Sequence, residues 1–138
     1  MKTSQKLITL FVTAMVAVVF LLGIAASDQQ KKAAAWPVPD KDKSVKAPAK
    51  ADVNTGKELW AKHCKSCHGA KGLGDGPKGA SLKTFPGDFS SAAFQASTDG
   101  ELFYRTDKGR DEMPAYEKKI ADANDRWALV AFIRTLKK

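Results

Sequence analysis

The chain has 138 residues, 43% of them hydrophobic, with 23 Lys or Arg against 15 Asp or Glu and a formal net charge of +8. Most of that excess lies before residue 51: residues 51–138 hold 15 basic and 12 acidic side chains, leaving +3, a near-balance that argues against nucleic-acid binding. A zinc site would need further cysteines or well-placed histidines beside the two cysteines, and His63 and His68 are the only histidines in the chain.

Lys2 and Lys6 precede Leu7 to Ala26, twenty residues without a charge. A basic start before an apolar run is an export signal, and this run is long enough to cross a bilayer. Residues 1–26 therefore read as a signal peptide or a single transmembrane anchor, with membrane contact through residues 7–26. The length favours the uncleaved anchor. Ile24 and Ala26 match a cleavage site only loosely, and no cysteine near Ala26 offers a lipid attachment point. A buried core helix fits poorly with the extreme N-terminal position. The lysines favour keeping the N-terminus inside and the rest of the chain outside.

Residues 27–50 read as a flexible charged linker. Between Asp28 and Lys50 stand three prolines, six lysines and three aspartates, with little that could enter a core. Trp36 lies in this stretch, either near lipid headgroups or as a solitary exposed aromatic.

Residues 51–138 make up the remaining domain. Its first helix is predicted to begin after Asn54, a capping residue, with Gly56, Leu59, Trp60 and His63 at helical spacing. Glycine costs helix stability, so Gly56 marks a close crossing with another helix rather than a fraying end. This helix closes on His63-Cys64-Lys65-Ser66-Cys67-His68, which holds both cysteines. C-x-x-C-H is the attachment pattern for a c-type haem. Two thiols three residues apart can bond to the two vinyl groups on one side of the macrocycle, and the adjacent histidine can ligate the iron. The alternatives are a redox dithiol, which needs a βαβ context, and half a zinc site, for which only His63 and His68 could add imidazoles.

Gly69 to Gly79 contains five glycines and one proline, a loop able to fold around a haem edge. It lacks the lysine–serine/threonine ending of a phosphate-binding loop. Phe85, Phe89 and Phe94 are candidate apolar lining. Thr98 and Glu101 have capping-box spacing before Leu102, Phe103 and Tyr104, and that short helix should end near Gly109. Its aromatics are expected to pack against haem or core, with a direct electron-transfer role for Tyr104 the weaker reading.

Met1 starts the chain and Met15 lies in the apolar run, so Met113 is the only methionine able to approach a haem. Pro114 biases it away from helical geometry, and an extended loop can push a thioether across a haem face, giving Met/His ligation. Methionine also serves as a core filler, a role that suits this charged loop poorly. His63, next to the attachment cysteines, is the weaker competitor for the sixth position. The last helix is predicted from Asp122 or Asn124 to Leu136. Trp127, Val130, Ala131, Phe132 and Ile133 would form its apolar surface, with Arg126 and Arg134 facing solvent. It should cross the first helix near Gly56.

This order of motifs resembles the class I cytochrome c family, specifically its small monohaem bacterial members. The resemblance runs from Val53 to Lys137. It takes in Gly56-Lys-Glu-Leu-Trp60, Cys64-Lys-Ser-Cys67-His68-Gly69, Gly72-Leu-Gly74-Asp75-Gly76-Pro77 and Leu102 to Gly109. It closes with Met113-Pro114-Ala115-Tyr116 and Trp127-Ala-Leu-Val-Ala-Phe-Ile-Arg134. It implies an all-α class I cytochrome c fold, with helices wrapped around one covalently attached haem c. By this resemblance Cys64 and Cys67 carry the thioethers, His68 is the proximal iron ligand and Met113 the distal one. Pro77 looks like the proline whose carbonyl receives the proximal imidazole N–H, with Pro86 another proline nearby.

Iron with both axial positions filled has no ready site for a substrate, so the resemblance implies an electron-transfer protein rather than an enzyme. Methionine ligation raises the reduction potential, which suits a one-electron carrier passing electrons between membrane respiratory complexes, such as a quinol-oxidising complex and a terminal oxidase. The alternatives are a haem c subunit of a larger membrane oxidoreductase and a haem-based gas sensor in which Met113 is displaced. The implied location is a bacterial inner membrane with the haem domain on the periplasmic face, or the periplasm itself after signal cleavage. Lys65, Lys71, Lys78 and Lys108 are either a basic ring that steers an acidic partner or ordinary solvated lysines.

Overall fold

The computed structural model describes residues 36–138. Within them run α1 (Asp40–Lys43), α2 (Val53–His63), α3 (Lys65–His68), a 3-10 turn (Gly79–Ser81), α4 (Ala92–Gln95), α5 (Asp99–Lys108) and α6 (Ala123–Thr135). Among the described residues there is no strand beyond one isolated bridge, Arg110 to Met113, so the expected all-helical domain holds. The signal or anchor expected over residues 1–26, with its membrane contact at 7–26, lies outside the described residues. Among those that are described, no helix is long and apolar enough to cross a membrane.

The Asp52 carboxylate caps α2, accepting the Asn54 N–H at 2.9 Å and the Thr55 hydroxyl at 2.8 Å. The sequence places this cap at Asn54. Asp52 takes the role because it stands just before the first turn, where a carboxylate meets both the free donors and the positive end of the helix dipole.

Gly56 is where α2 meets α6. A β-carbon there would stand 2.0 Å from the Ala128 carbonyl oxygen and 2.9 Å from Cβ of Phe132, so the predicted crossing is present and only glycine admits it. Around it Trp60 of α2, Leu102 of α5, and Leu129, Val130, Phe132 and Ile133 of α6 are buried in one cluster. Each large apolar side chain removed from water in this way stabilises the fold by about 1.5–3 kcal/mol.

The predicted capping box opens α5: Thr98 Oγ1 accepts the Glu101 N–H at 3.2 Å, and the Glu101 carboxylate accepts the Thr98 N–H at 2.7 Å. The helix stops at Gly109, as expected. Its Phe103 stacks on Trp127 of α6 with centroids 4.0 Å apart. Asp122 caps α6, accepting the Asn124 N–H at 2.8 Å. Arg134 does not simply face solvent. Its Nε and Nη2 donate to Asp99 at 2.8 and 2.7 Å, and Nη2 also donates to the Ser97 carbonyl at 2.6 Å, which ties α6 to the start of α5.

Residues 38–47 depart from the flexible-linker expectation for 27–50. Val38 is buried, and Ala47 packs against the core. The Thr98 hydroxyl donates to the Lys43 carbonyl at 2.8 Å. At Gly100 of α5 a β-carbon would lie 2.0 Å from the Asp42 carbonyl oxygen. This stretch is a strap laid over the start of α5. Two small apolar side chains flank a one-turn helix, and the glycine opposite lets backbone touch backbone.

Gly56→Ala is expected to destabilise the protein by about 1–3 kcal/mol through overpacking, although alanine is intrinsically the better helix former by roughly 0.5–1 kcal/mol. Urea unfolding measures the difference, and a gain in stability would show that α2 and α6 do not meet there.

Candidate functional site

The crossing positions the corner that follows it. The Cys64 N–H closes the end of α2 on the Trp60 carbonyl at 2.9 Å, and α3 then makes a single turn that ends at His68. Trp60 Nε1 donates to the Gly69 carbonyl at 3.0 Å, fastening the buried helix to the corner. Cys64, Cys67 and His68 thereby line a cavity of ≈ 510 Å³, within the roughly 300–1,000 Å³ usual for cofactor sites. Met113 lines the same cavity, as do Phe85, Phe89 and Phe94 in the lining role predicted for them.

His68 packs its ring 4.6 Å from Phe89 and 5.7 Å from Trp60. Burial pushes its pKa down to about 4, so the imidazole is neutral at ordinary pH and its lone pair is available. The backbone of Pro86 acts in the opposite direction, favouring the protonated ring, yet Nδ1 stays buried without a hydrogen bond of ordinary geometry. Pro77 does not fill the role proposed for it. It is exposed on the glycine-rich loop and stands outside the cavity lining, whereas Pro86 is half-buried and lines the cavity. The loop turns Pro77 outward because the backbone around it, through the Lys78 N–H on the Ser66 carbonyl at 2.8 Å, folds back onto α3.

Both cysteines are free and half-buried. Burial, with a smaller contribution from Cys67, pushes the Cys64 thiol up to about 12. A reactive redox dithiol needs the opposite shift. Among the described residues there is no group of three or more His, Cys, Asp or Glu arranged to hold a metal ion.

Met113 is carried on a tight turn. The Arg110 N–H donates to the Met113 carbonyl and the Met113 N–H to the Arg110 carbonyl, both at 2.8 Å, with Asp111 at φ 50° between them. Glu112 reaches across to the loop before Pro86, its carboxylate accepting the Lys83 N–H at 2.8 Å and the Thr84 N–H at 3.2 Å. The Tyr116 hydroxyl donates to the His63 carbonyl at 2.9 Å, and its ring meets the His63 ring edge-on at 5.8 Å. His63 therefore packs against Tyr116, and burial, aided by Lys62 and Lys119, lowers its pKa.

Several lining residues escape sequence reasoning. Arg105 lines the cavity with its Nε buried and without a hydrogen-bond partner, while Nη1 donates to Ser97 Oγ at 3.0 Å. Its place three residues after buried Leu102 is the signal that could have put it on the inner face. Arg110 and Trp36 line the cavity together, the guanidinium 4.5 Å from the indole centroid. Arg126, expected to face solvent, is buried instead. Its Nε pairs with Asp107 at 2.6 Å, and its Nη1 donates to the carbonyls of Ile120 and of Ala121, the latter at 3.0 Å. It ties the end of α5 to the chain that follows Tyr116.

The donor set suits a haem: an apolar cavity, two thiols and a neutral imidazole from one corner, a thioether from another loop, and guanidinium groups to meet propionates. The family described as "Cytochrome C oxidase, cbb3-type, subunit III" matches residues 51–133. Among solved structures, one titled "KustC0563 c-type cytochrome" is 32% identical with a TM-score of 0.51, over 60% of this chain and 98% of that one. Another, titled "Kuenenia stuttgartiensis reducing HAO-like protein complex Kustc0457/Kustc0458", has a TM-score of 0.59. At 22% identity over 78% of this chain and 53% of its own, it supports the fold alone. No curated protein matches the chain.

Arg126→Met would leave the Asp107 carboxyl buried without its cation, a loss of about 3–5 kcal/mol when the acid is ionised. Burial already raises the Asp107 pKa above 3.8, with Arg126 opposing it. Stability is thus retained while the acid is protonated and lost as pH rises through the raised pKa. The variant should lie nearest the parent near about pH 4 and furthest from it at about pH 7 in urea unfolding. A deficit independent of pH would assign the loss to packing.

Proposed function

We propose that Cys64 and Cys67 hold haem covalently and that His68 and Met113 ligate its iron, because this chain belongs to the family described as "Cytochrome C oxidase, cbb3-type, subunit III" and is a small bacterial class I c-type cytochrome with covalently bound haem c. The observation that carries the assignment is the meeting of all four side chains on one cavity, although Met113 comes from a loop far along the chain. Haem c, when bound, supplies a one-electron couple. His68 offers a neutral imidazole, fixed in place between Phe89 and Trp60. Met113 offers a thioether from a turn closed by two backbone hydrogen bonds. Arg105 and Arg110 are the side chains we assign to the propionates, and Pro86, rather than Pro77, is the proline we place beside the proximal ring.

The function is electron transfer. We place residues 51–138, with the strap at 38–47 laid over them, on the extracytoplasmic side of a bacterial inner membrane, exported by the signal or anchor at 1–26. The carrier would pass electrons between a quinol-oxidising complex and a terminal oxidase. Lys65, Lys71 and Lys78 are exposed and available to an acidic partner, whereas Lys108 is engaged by Glu117 at 2.8 Å. The second reading, a haem subunit of a larger oxidoreductase, is favoured by the family description, which names an oxidase subunit. The gas-sensor reading needs Met113 to leave, and the bracing of its loop by Glu112 and Tyr116 weighs against it.

Met113→Ala in the holoprotein is expected to abolish the sulfur-to-iron charge-transfer band of the ferric state and to lower the reduction potential, since methionine ligation raises it. An unchanged band and potential would remove Met113 from the iron. Affinity purification of the full chain from native membranes separates the two roles: a stoichiometric complex identifies a subunit, and a monomer reduced by quinol-oxidising complexes identifies a carrier.

A further inference from the structure

The cavity is not built from residues 51–138 alone. We propose that Trp36 is a haem-contacting residue, delivered by the strap that precedes the cytochrome domain, and that its indole closes the cavity mouth against water beside the Met113 loop. This rests on the reading of the cavity as the haem site.

Trp36 lines the same cavity as His68 and Met113. Its ring lies 4.5 Å from the Arg110 guanidinium, a stacked cation–π contact. Arg110 is joined to Met113 by a reciprocal pair of backbone hydrogen bonds, so the indole is stacked on a side chain of the very turn that carries the thioether. The strap that brings it there is held independently of the cavity. Val38, two residues on, is buried; the Thr98 hydroxyl binds the Lys43 carbonyl; and α1 sits on Gly100, where a β-carbon would meet the Asp42 oxygen at 2.0 Å. Two anchors on α5 and one stack on Arg110 fix Trp36 at the mouth, so it is engaged with the cavity rather than with lipid headgroups.

An indole placed there has a defined physical consequence. Water near the iron favours the more positively charged ferric state, and the apolar shell around a metal site sets its solvent access and potential. Trp36 would therefore raise the reduction potential and slow small reductants at the haem edge. The strap thereby becomes a positioning element for the redox site.

The test uses the full-length holoprotein with Trp36→Ala, Trp36→Phe and Gly100→Ala. Covalent haem content and the ferric charge-transfer band are checked first in each. Trp36→Ala should lower the potential and speed reduction by ascorbate by about twofold or more, as expected of an opened hydrophobic shell. Trp36→Phe should stay close to the parent. Gly100→Ala touches nothing in the cavity, yet should reproduce Trp36→Ala because its new β-carbon lifts the strap. If Trp36→Ala and Gly100→Ala both keep the parent potential and rate with haem and band intact, the proposal is wrong. A parent protein without the charge-transfer band would instead overturn Met113 ligation, and the comparison of variants would still decide the role of Trp36.

Discussion

The contact between Gly56 and the backbone of Ala128 is the constraint from which the rest of the molecule follows. It brings α2 and α6 together without an intervening side chain. Trp60, one turn further along α2, is thereby driven into the cluster formed with Phe89 and Phe132. Its indole N–H then reaches the Gly69 carbonyl, at the far side of the corner that carries both cysteines and His68. A backbone contact at one end of a helix thus sets the position of three cavity-lining side chains at the other. The chain between them is too short to slip: the Cys64 N–H returns to the Trp60 carbonyl, the Cys67 and His68 N–H groups to the Cys64 carbonyl, and the Gly69 N–H to the Lys65 carbonyl.

The cavity that this corner faces imposes one electrical condition on everything around it. Burial holds His68 in its neutral form, and it holds the Cys64 thiol and the Tyr116 hydroxyl protonated, each with a pKa pushed up to about 12. The common cause is the cost of placing charge in an apolar space. That condition suits a large apolar macrocycle. It also explains why a domain this small is built around a cavity: an apolar group seated there supplies core that so short a chain cannot assemble from its own side chains. Positive charge is admitted through Arg105 and Arg110, where propionates would need it.

Much of this was legible in the sequence, and the parts that were not have a shared reason. The C-x-x-C-H corner, the Gly56 crossing, the Thr98–Glu101 box and the three cavity phenylalanines are local patterns whose geometry follows from spacing. Asn54 and Pro77 were each misassigned by a small shift. Two polar residues two positions apart can both cap a helix, and which of them does so depends on where the crossing fixes its register. Two prolines bracket one loop, and only the path of that loop decides which faces the imidazole. Arg126 was misread for a different reason. An arginine beside Trp127 looks solvent-facing until the carbonyls of Ile120 and Ala121 and the Asp107 carboxylate, contributed by other segments, surround it. The strap could not be foreseen because its composition is that of a linker, and its docking relies on the absence of a β-carbon at Gly100, more than fifty residues away.

The loops bearing Met113 and Pro86 have no helical ladder of hydrogen bonds, so they must be held by single long-range polar contacts. Glu112 spans from one loop to the other by accepting two backbone N–H groups, the Tyr116 hydroxyl returns to the end of α2, and Arg126 gathers the carbonyls that follow. The Glu112 and Tyr116 contacts cross between segments far apart in the chain. Together they triangulate the loop that bears the thioether against the corner that bears the imidazole. An electron carrier gains speed when its ligands move little between oxidation states, and a loop braced at several points along its length moves less than one hinged only at its ends.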